Sequence, residues 1–215
     1  NTYGLVLQCI ESVIKNTSNI LYEIIVVDNN SPNREIEDLN KVFPQVKLIL
    51  NNDNSGFGIA NNIGNKVANG KFIFLLNSDT IVIDNSIYEL YKFMLENPHV
   101  GACGGNLCDI NLSPATSFTR FMPSILSDID YFFYNIYSKV LYGKDLNYCY
   151  GESPILIHGN ISGADLMISK HVFDVLGGFD ESFFMYYEET DLLFRIRAIN
   201  YKTYIVPSSK IIHLE

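Results

Sequence analysis

Carboxylates at the ends of apolar runs are the first chemistry this sequence offers. Asp28 closes Tyr22-Glu-Ile-Ile-Val-Val-Asp28, and Asp79 closes Asn77-Ser-Asp79 directly after Lys71-Phe-Ile-Phe-Leu-Leu76. Carboxylate oxygens are the ligands that Mg2+ and Mn2+ prefer, and an acid at a strand end can equally cap the next helix. A second group, Glu188, Glu189 and Asp191, crowds one predicted helix start. There 188 and 191 share a face while 189 points elsewhere. Like charges so close raise one pKa while the helix N-terminus stabilises the anions, which suits a general base. The plainer alternative is that acids favour a first helical turn. Asp165 interrupts the apolar run Gly163-Ala-Asp-Leu-Met-Ile168, where an unpartnered acid is costly to bury. Gly56 and Gly58 permit close backbone approach to a ligand, or simply a helix-entry turn. His213 reads from its position as a partly buried strand histidine.

These residues need a scaffold that brings strand ends together. Helical spacing covers Leu5 to Ile14, Glu35 to Val42, Ser55 to Val67, Asn85 to Glu96, Lys170 to Leu176 and Glu188 to Ile199. Short apolar strands fall between them, at Tyr22 to Asp28, Val46 to Leu50, Lys71 to Leu76, His99 to Cys103 and Gly163 to Ile168. Two terminal strands, Lys202 to Val206 and Lys210 to His213, follow. This alternation predicts an α/β fold with a mostly parallel sheet flanked by helices. Ligands in such sheets bind beyond the carboxyl ends of the strands, where Asp28 and Asp79 fall. Between Gly105 and Gly151 the pattern changes to one rich in Tyr and Phe, including Asp130-Tyr-Phe-Phe-Tyr134. Such a segment can line an acceptor groove, pack a core, or meet a partner or membrane.

Composition narrows the classes. The 215 residues suit a single domain, with 47% hydrophobic and 18% charged residues, which is globular rather than disordered. A net charge of -9 argues against a nucleic-acid partner, whose phosphates need clustered Lys and Arg. The four cysteines form no CxxC pair and no zinc spacing, and read as buried reduced thiols of a cytoplasmic protein. No apolar run is long enough to span a bilayer. No GxGxxG follows a strand, which disfavours a Rossmann dehydrogenase. No Gly-rich basic phosphate loop opens the chain, as a sugar-nucleotide nucleotidyltransferase would require.

Four segments, in order, resemble family 2 glycosyltransferases of the GT-A fold, with a flavour of the bacterial rhamnosyltransferase-like subgroup. Asn77-Ser-Asp79 resembles the metal-binding DxD-type motif in its NxD form. Val26-Val-Asp-Asn-Asn-Ser31 resembles the first donor-binding loop. Asn54-Ser-Gly-Phe-Gly-Ile-Ala-Asn-Asn-Ile-Gly64 resembles the segment that closes over the nucleotide. Gly177-Gly-Phe-Asp-Glu-Ser-Phe-Phe-Met-Tyr-Tyr-Glu-Glu-Thr-Asp-Leu192 resembles the acidic catalytic stretch. The resemblance runs from Asn1 to Glu215. It implies one catalytic domain, with a nucleotide-binding half at 1–104 and an acceptor-side half at 105–215.

The resemblance also implies roles. Glu189 is the general base, with Asp191 as second choice. Asp28, Asn30, Gly56, Asn62, Asn77, Ser78 and Asp165 lie at the nucleotide sugar, and Asp28 accepts from the N3–H of uracil or thymine. Asp79 and His213 hold Mn2+ or Mg2+. The implied reaction is inverting transfer from a UDP- or dTDP-sugar to an acceptor hydroxyl in bacterial surface polysaccharide synthesis. The implied acceptor is a glycan or lipid-linked glycan, and the implied place is the cytoplasm, with peripheral association at the inner face of the membrane. Three departures stand out. Relatives begin with an apolar strand ending in Thr-Tyr-Asn, whereas this sequence starts at Asn1-Thr-Tyr-Gly-Leu, so the fragment is expected to be truncated at both ends, with a gap in its sheet. Position 61 is Asn where many relatives carry Arg, and Glu189 stands where relatives commonly carry Asp. The last departure leaves a catalytically inactive binding module as the alternative.

Overall fold

The computed structural model describes residues 2–32, 34–143 and 146–214. Asn1, where the expected base-contacting loop begins, and Glu215 lie outside them. The first half alternates as the periodicity predicts. Helix α1 (Thr2–Asn16) leads to strand β1 (Ile25–Asp28), and a 3-10 turn (Arg34–Asp38) runs into the short α2 (Leu39–Val42). Strand β2 (Lys47–Leu50), helix α3 (Phe57–Val67), β3 (Phe72–Leu76), β4 (Thr80–Val82), α4 (Ser86–Glu96) and β5 (Val100–Cys108) follow. The aromatic segment forms two short helices, α5 (Ile125–Phe132) and α6 (Ile136–Tyr142). Strands β6 (Ile155–Leu156) and β7 (Asp165–Ser169), helices α7 (Lys170–Val175) and α8 (Glu188–Ala198), and the long β8 (Lys202–His213) complete the chain.

Among the described residues β1 and β2 form a parallel two-stranded sheet. The other strands form a six-stranded sheet in the order β3-β7-β5-β8-β4, with β6 on β8. Strands β5 and β8 pair in parallel, whereas β3–β7, β5–β7, β4–β8 and β6–β8 are antiparallel. The fold is therefore α/β with helices against a mixed sheet. Strand direction is set by how the chain returns, which hydrophobic periodicity does not report. The boundary expected between 104 and 105 falls inside β5, so both halves share that strand.

Strand β5 is buried at all nine positions, and its glycines are there for contact. A Cβ at Gly101 would lie 2.6 Å from the Ile196 side chain of α8. The two terminal strands expected from sequence are one, β8. The pairing skips from Gly104↔Ile205 to Asn106↔Lys210, and this irregularity accommodates Pro207, which has no N–H to give to a ladder. One core joins Ala102, Leu166, Phe173, Leu193 and Ile205 under α7 and α8, and a second joins Leu90, Met94, Cys103 and Val206 under α4. All four cysteines are buried, and none forms a disulfide among the described residues.

Candidate active site

Asp28 ends β1, and its Oδ2 accepts the Ser31 N–H at 3.1 Å, so the carboxylate shapes its own loop. The next residue, Asn29, ties three segments together. Its Nδ2 donates to Asn54 Oδ1 (3.1 Å) and the Gly56 carbonyl (3.0 Å), and its Oδ1 accepts from Asn51 Nδ2 (2.8 Å) and Ser55 Oγ (3.3 Å). Sequence reasoning singled out its neighbours and missed Asn29, whose only signal was a buried-strand end followed by an Asn pair. Asn30 is exposed with φ 62, a left-handed conformation that Asn tolerates.

Gly56 opens α3 at φ 88, and a Cβ there would lie 2.2 Å from the Phe184 carbonyl oxygen. Only glycine permits this approach, which lets the Phe57 N–H donate to that carbonyl at 3.3 Å. The closing segment and the acidic stretch are therefore in direct contact. Two and three residues on, Tyr186 and Tyr187 hold left-handed φ values of 69 and 68 immediately before α8. Bulky side chains rarely adopt this conformation, and such strain gathers at functional segments.

Helix α8 carries Glu188, Glu189 and Asp191 in its first turn and Arg195 and Arg197 in its last, matching the helix dipole at both ends. The three acids have different surroundings. Glu188 is buried at 4% exposure, and its Oε2 has no hydrogen-bond partner among the described residues. Burial, then the Glu189 charge, raises its pKa above the ordinary carboxylate range. Glu189 is half-buried, with Asn160 Nδ2 3.4 Å from its Oε1. Asp191 accepts from Arg195 Nε at 2.7 Å, and Arg195 in turn donates to the Leu176 and Gly178 carbonyls. Asp191 is thus held in an ion pair that braces the Gly177-Gly178 turn, whereas Glu189 lies outside that pair, against Asn160.

Asn77 follows β3 and its N–H donates to the Ala164 carbonyl at 3.1 Å, which fixes the Asn77-Ser-Asp79 turn beside the start of β7. Ser78 is exposed. Thr80 pairs with His213 across β4 and β8, and this register brings His213 Nε2 to 3.3 Å from Asp79 Oδ1. The two side chains are 11% and 32% exposed respectively. A carboxylate oxygen and an imidazole nitrogen converging in this way form a donor pair suited to Mn2+ and compatible with Mg2+.

Two residues expected at the donor are buried in contacts within the fold. Asn62 is buried, and its Oδ1 accepts the Phe179 N–H (2.9 Å) while its Nδ2 donates to the Phe179 carbonyl (2.9 Å) and Glu181 Oε1 (3.2 Å). Its amide is spent clamping the turn after α7, so it positions the acidic stretch. Asp165 is 0% exposed, buried between β3 and β5, with its Oδ2 accepting the Gly105 N–H at 2.8 Å and its Oδ1 unpartnered among the described residues. Desolvation pushes its pKa well above the usual carboxylate range. In this conformation its carboxyl is sealed from solvent. Asn61, at the position expected to lack a basic contact, donates to the Phe57 carbonyl at 2.9 Å within α3.

Contacts link the remaining residues into one neighbourhood. The Asp28 loop joins Gly56 through Asn29, and Gly56 meets the segment before α8. Gly163 packs on Phe57, with 3.4 Å from its Cβ position to the ring, and the adjoining Ala164 anchors Asn77. Among the described residues no three His, Cys, Asp or Glu side chains cluster as a metal cage.

A family model described as glycosyl transferase family 2 matches residues 1–161. The chain is 26% identical over 207 residues to an N-acetylglucosaminyl-diphospho-decaprenol L-rhamnosyltransferase of Mycobacterium tuberculosis, covering 88% of this chain and 66% of that protein. It is 28% identical over 188 residues to a low-salt glycan biosynthesis hexosyltransferase of Haloferax volcanii, covering 83% and 54%. An uncharacterized glycosyltransferase of Haemophilus influenzae is 31% identical over 110 residues, covering 49% of this chain and 42% of its own length. The chain thus spans between about two fifths and two thirds of these relatives. A crystal structure of GalNAc-T7 with UDP, GalNAc and Mn2+ superposes with TM-score 0.77 at 18% identity, over 99% of this chain and 41% of that one. One of S. aureus TarS superposes with TM-score 0.64 at 16% identity, over 100% and 58%.

Proposed function

This chain belongs to glycosyl transferase family 2, and from that premise we propose that it transfers a sugar from a UDP- or dTDP-sugar to an acceptor hydroxyl with inversion. The observation that carries the reading is the Asp79–His213 pair, joined through the Ala164 anchor and the Gly56 contact to the start of α8. In this reading residues 1–104 hold the nucleotide and 105–215 face the acceptor. Asp28 receives the base N3–H, Gly56 and its neighbours cover the diphosphate, and Asn77 and Ser78 flank the phosphates. The acceptor is a glycan or lipid-linked glycan at the inner face of the cytoplasmic membrane, in bacterial surface polysaccharide assembly. The decaprenol-linked name of the mycobacterial relative supports that class.

Asp79 and His213 would hold Mn2+ or Mg2+, which would supply neutralisation of the charge that develops on the leaving diphosphate. Glu189 takes the proton from the acceptor hydroxyl as its oxygen bonds to the anomeric carbon. The bond from that carbon to the diphosphate breaks on the opposite side, which inverts the configuration. Asn160 orients the Glu189 carboxylate, and the Asp191–Arg195 pair fixes the turn on which α8 rests. Glu189→Gln is expected to lower the transfer rate by about 10²- to 10⁴-fold with donor binding retained. Asp191→Asn is expected mainly to lower stability, by about 1 kcal/mol. Nucleoside diphosphate release in the presence of acceptor, with thermal melting alongside, separates the two; a larger loss of rate in Asp191→Asn overturns the assignment of the base. Donor binding without transfer to any glycan or lipid-linked acceptor would instead identify an inactive binding module.

A further inference from the structure

The contact between Asn160 and Glu189 depends on where the backbone holds Asn160, and the fold grips both peptide groups that flank it. The peptide between Gly159 and Asn160 is planar, so its C=O and N–H turn together. Its carbonyl accepts from Arg197 Nη1 at 3.0 Å, and its N–H donates to Thr119 Oγ1 at 3.0 Å. On the other side of the same Cα, the Asn160 carbonyl accepts the Thr119 N–H at 2.8 Å. With both peptides held, the direction of the Asn160 Cα–Cβ bond is set and only side-chain rotation remains. The approach is close. A Cβ at Gly159 would lie 2.2 Å from the Thr119 carbonyl oxygen and 2.7 Å from the Phe121 nitrogen, so this position takes glycine.

Arg197 is the far end of this clamp. It sits in the last turn of α8, about two turns beyond Glu189. Besides its bond to Gly159, Nη1 donates to Thr203 Oγ1 at 3.2 Å, and Nη2 donates to Met122 Sδ at 2.8 Å. Thr203 Oγ1 donates in turn to the Ile157 carbonyl at 2.7 Å. One guanidinium thus ties α8 to both runs, 157–160 and 119–122, whose pairing carries Asn160. The side chain is half-buried, and among the described residues its hydrogen-bond partners are all uncharged. Taking a cation out of water with no anion beside it costs stability, and burial lowers the Arg197 pKa. An apolar side chain of similar length would fill the same space without that cost. What the guanidinium adds is geometry: its planar fork of donors holds three acceptors in one arrangement.

We propose that Arg197 is a positioning residue for the reaction: from one end of α8 it sets the Gly159–Asn160 peptide, and through the Asn160 amide it aims the Glu189 carboxylate at the other end. The helix that carries the base therefore also carries the group that aims it. The inference deepens the transferase reading and rests on it for the role of Glu189. Such aiming matters because a displacement of about 1 Å in a reacting group can cost about a hundredfold in rate.

Two measurements on the full chain test it. The first follows the NMR signal of the Asn160 side-chain amide, identified by its loss in Asn160→Ala. That signal should shift on Glu189→Gln in the parent and stay in place on the same change in Arg197→Met. Thr119→Val frees the other end of the same peptide, should give the same result, and decides the matter where Arg197→Met folds poorly. The second is release of nucleoside diphosphate from UDP-glucose and dTDP-rhamnose with Mn2+. In Arg197→Met kcat should fall about tenfold or more, with KM for the donor changed by less than about twofold. The same change should cause no further fall in Glu189→Gln, because the group that it aims is already gone. An Asn160 signal that responds to Glu189→Gln equally with and without Arg197 overturns the proposal, as do rate losses that add in the double variant. A parent that turns over neither donor, with the Asn160 signal behaving as expected, would count against the transferase reading alone and support the clamp on Glu189.

Discussion

At the scale of single residues, burial decides which acids can serve chemistry. Asp79, Glu189 and Asp191 are partly open, whereas Asp165 and Glu188 are sealed and have raised pKa values. For Asp165 the raised pKa makes a prediction about stability. The folded state holds its proton to higher pH than the unfolded chain does, so the unfolded state gains relative stability as pH rises above the ordinary carboxylate range of about 4. Asp165→Asn keeps an acceptor for the Gly105 N–H and removes the ionisation. Its melting temperature should match the parent at acid pH and exceed it increasingly towards pH 8. Parallel melting curves across that range would show that Asp165 ionises at no cost. The sequence showed an acid interrupting an apolar strand, yet not which way it faced. Register with Leu76 and the contact with Gly105 settle that, and both are tertiary. The same holds for Asn62, whose neighbours in the motif suggested a ligand contact while its amide was committed to Phe179.

At the scale of elements, the strands and helices with a clear apolar period are placed where the sequence indicated, within a few residues. α3, β3, α4, α7 and α8 are examples. What escaped were elements whose signal is weak or non-local. β4 is three residues long and exists because it pairs with β8, and β5 continues to Cys108, beyond the end expected at Cys103. α5 and α6 escaped because helices of eight and seven residues give the periodicity only about two turns in which to show. The contact between the α3 entry and the segment before α8 likewise depends on a backbone conformation, φ 88 at Gly56, that sequence only permits. Gly56→Ala should strain that turn and push Phe184 away, at a cost of about 1–3 kcal/mol in backbone strain alone. Its expected signature is weaker nucleoside diphosphate binding together with a lower melting temperature. Unchanged binding in a destabilised variant would detach this loop from the donor. Asn62→Ala should show the reverse, losing about 1–3 kcal/mol of stability with affinity nearly intact in the folded protein, as calorimetry below its melting temperature would reveal.

At the scale of the whole molecule, distant segments converge through a few specific contacts. Asp28 and Asn29 reach Gly56, Gly56 reaches Phe184 ahead of Glu189, and Phe57 packs on Gly163 next to the anchor of Asn77. The mixed sheet brings the last strand, β8, back to β4, so that residues 79 and 213 meet at 3.3 Å. The order of the four motifs made the family legible from sequence, whereas this pairing was legible only through resemblance, since β8 lies more than a hundred residues away. The most direct test is a calorimetric titration of UDP into the protein with and without Mn2+, repeated for Asp79→Ala and Glu189→Gln. UDP should bind in the presence of Mn2+, lose that binding in Asp79→Ala, and retain it in Glu189→Gln. Binding that ignores Mn2+ and survives Asp79→Ala would contradict the account.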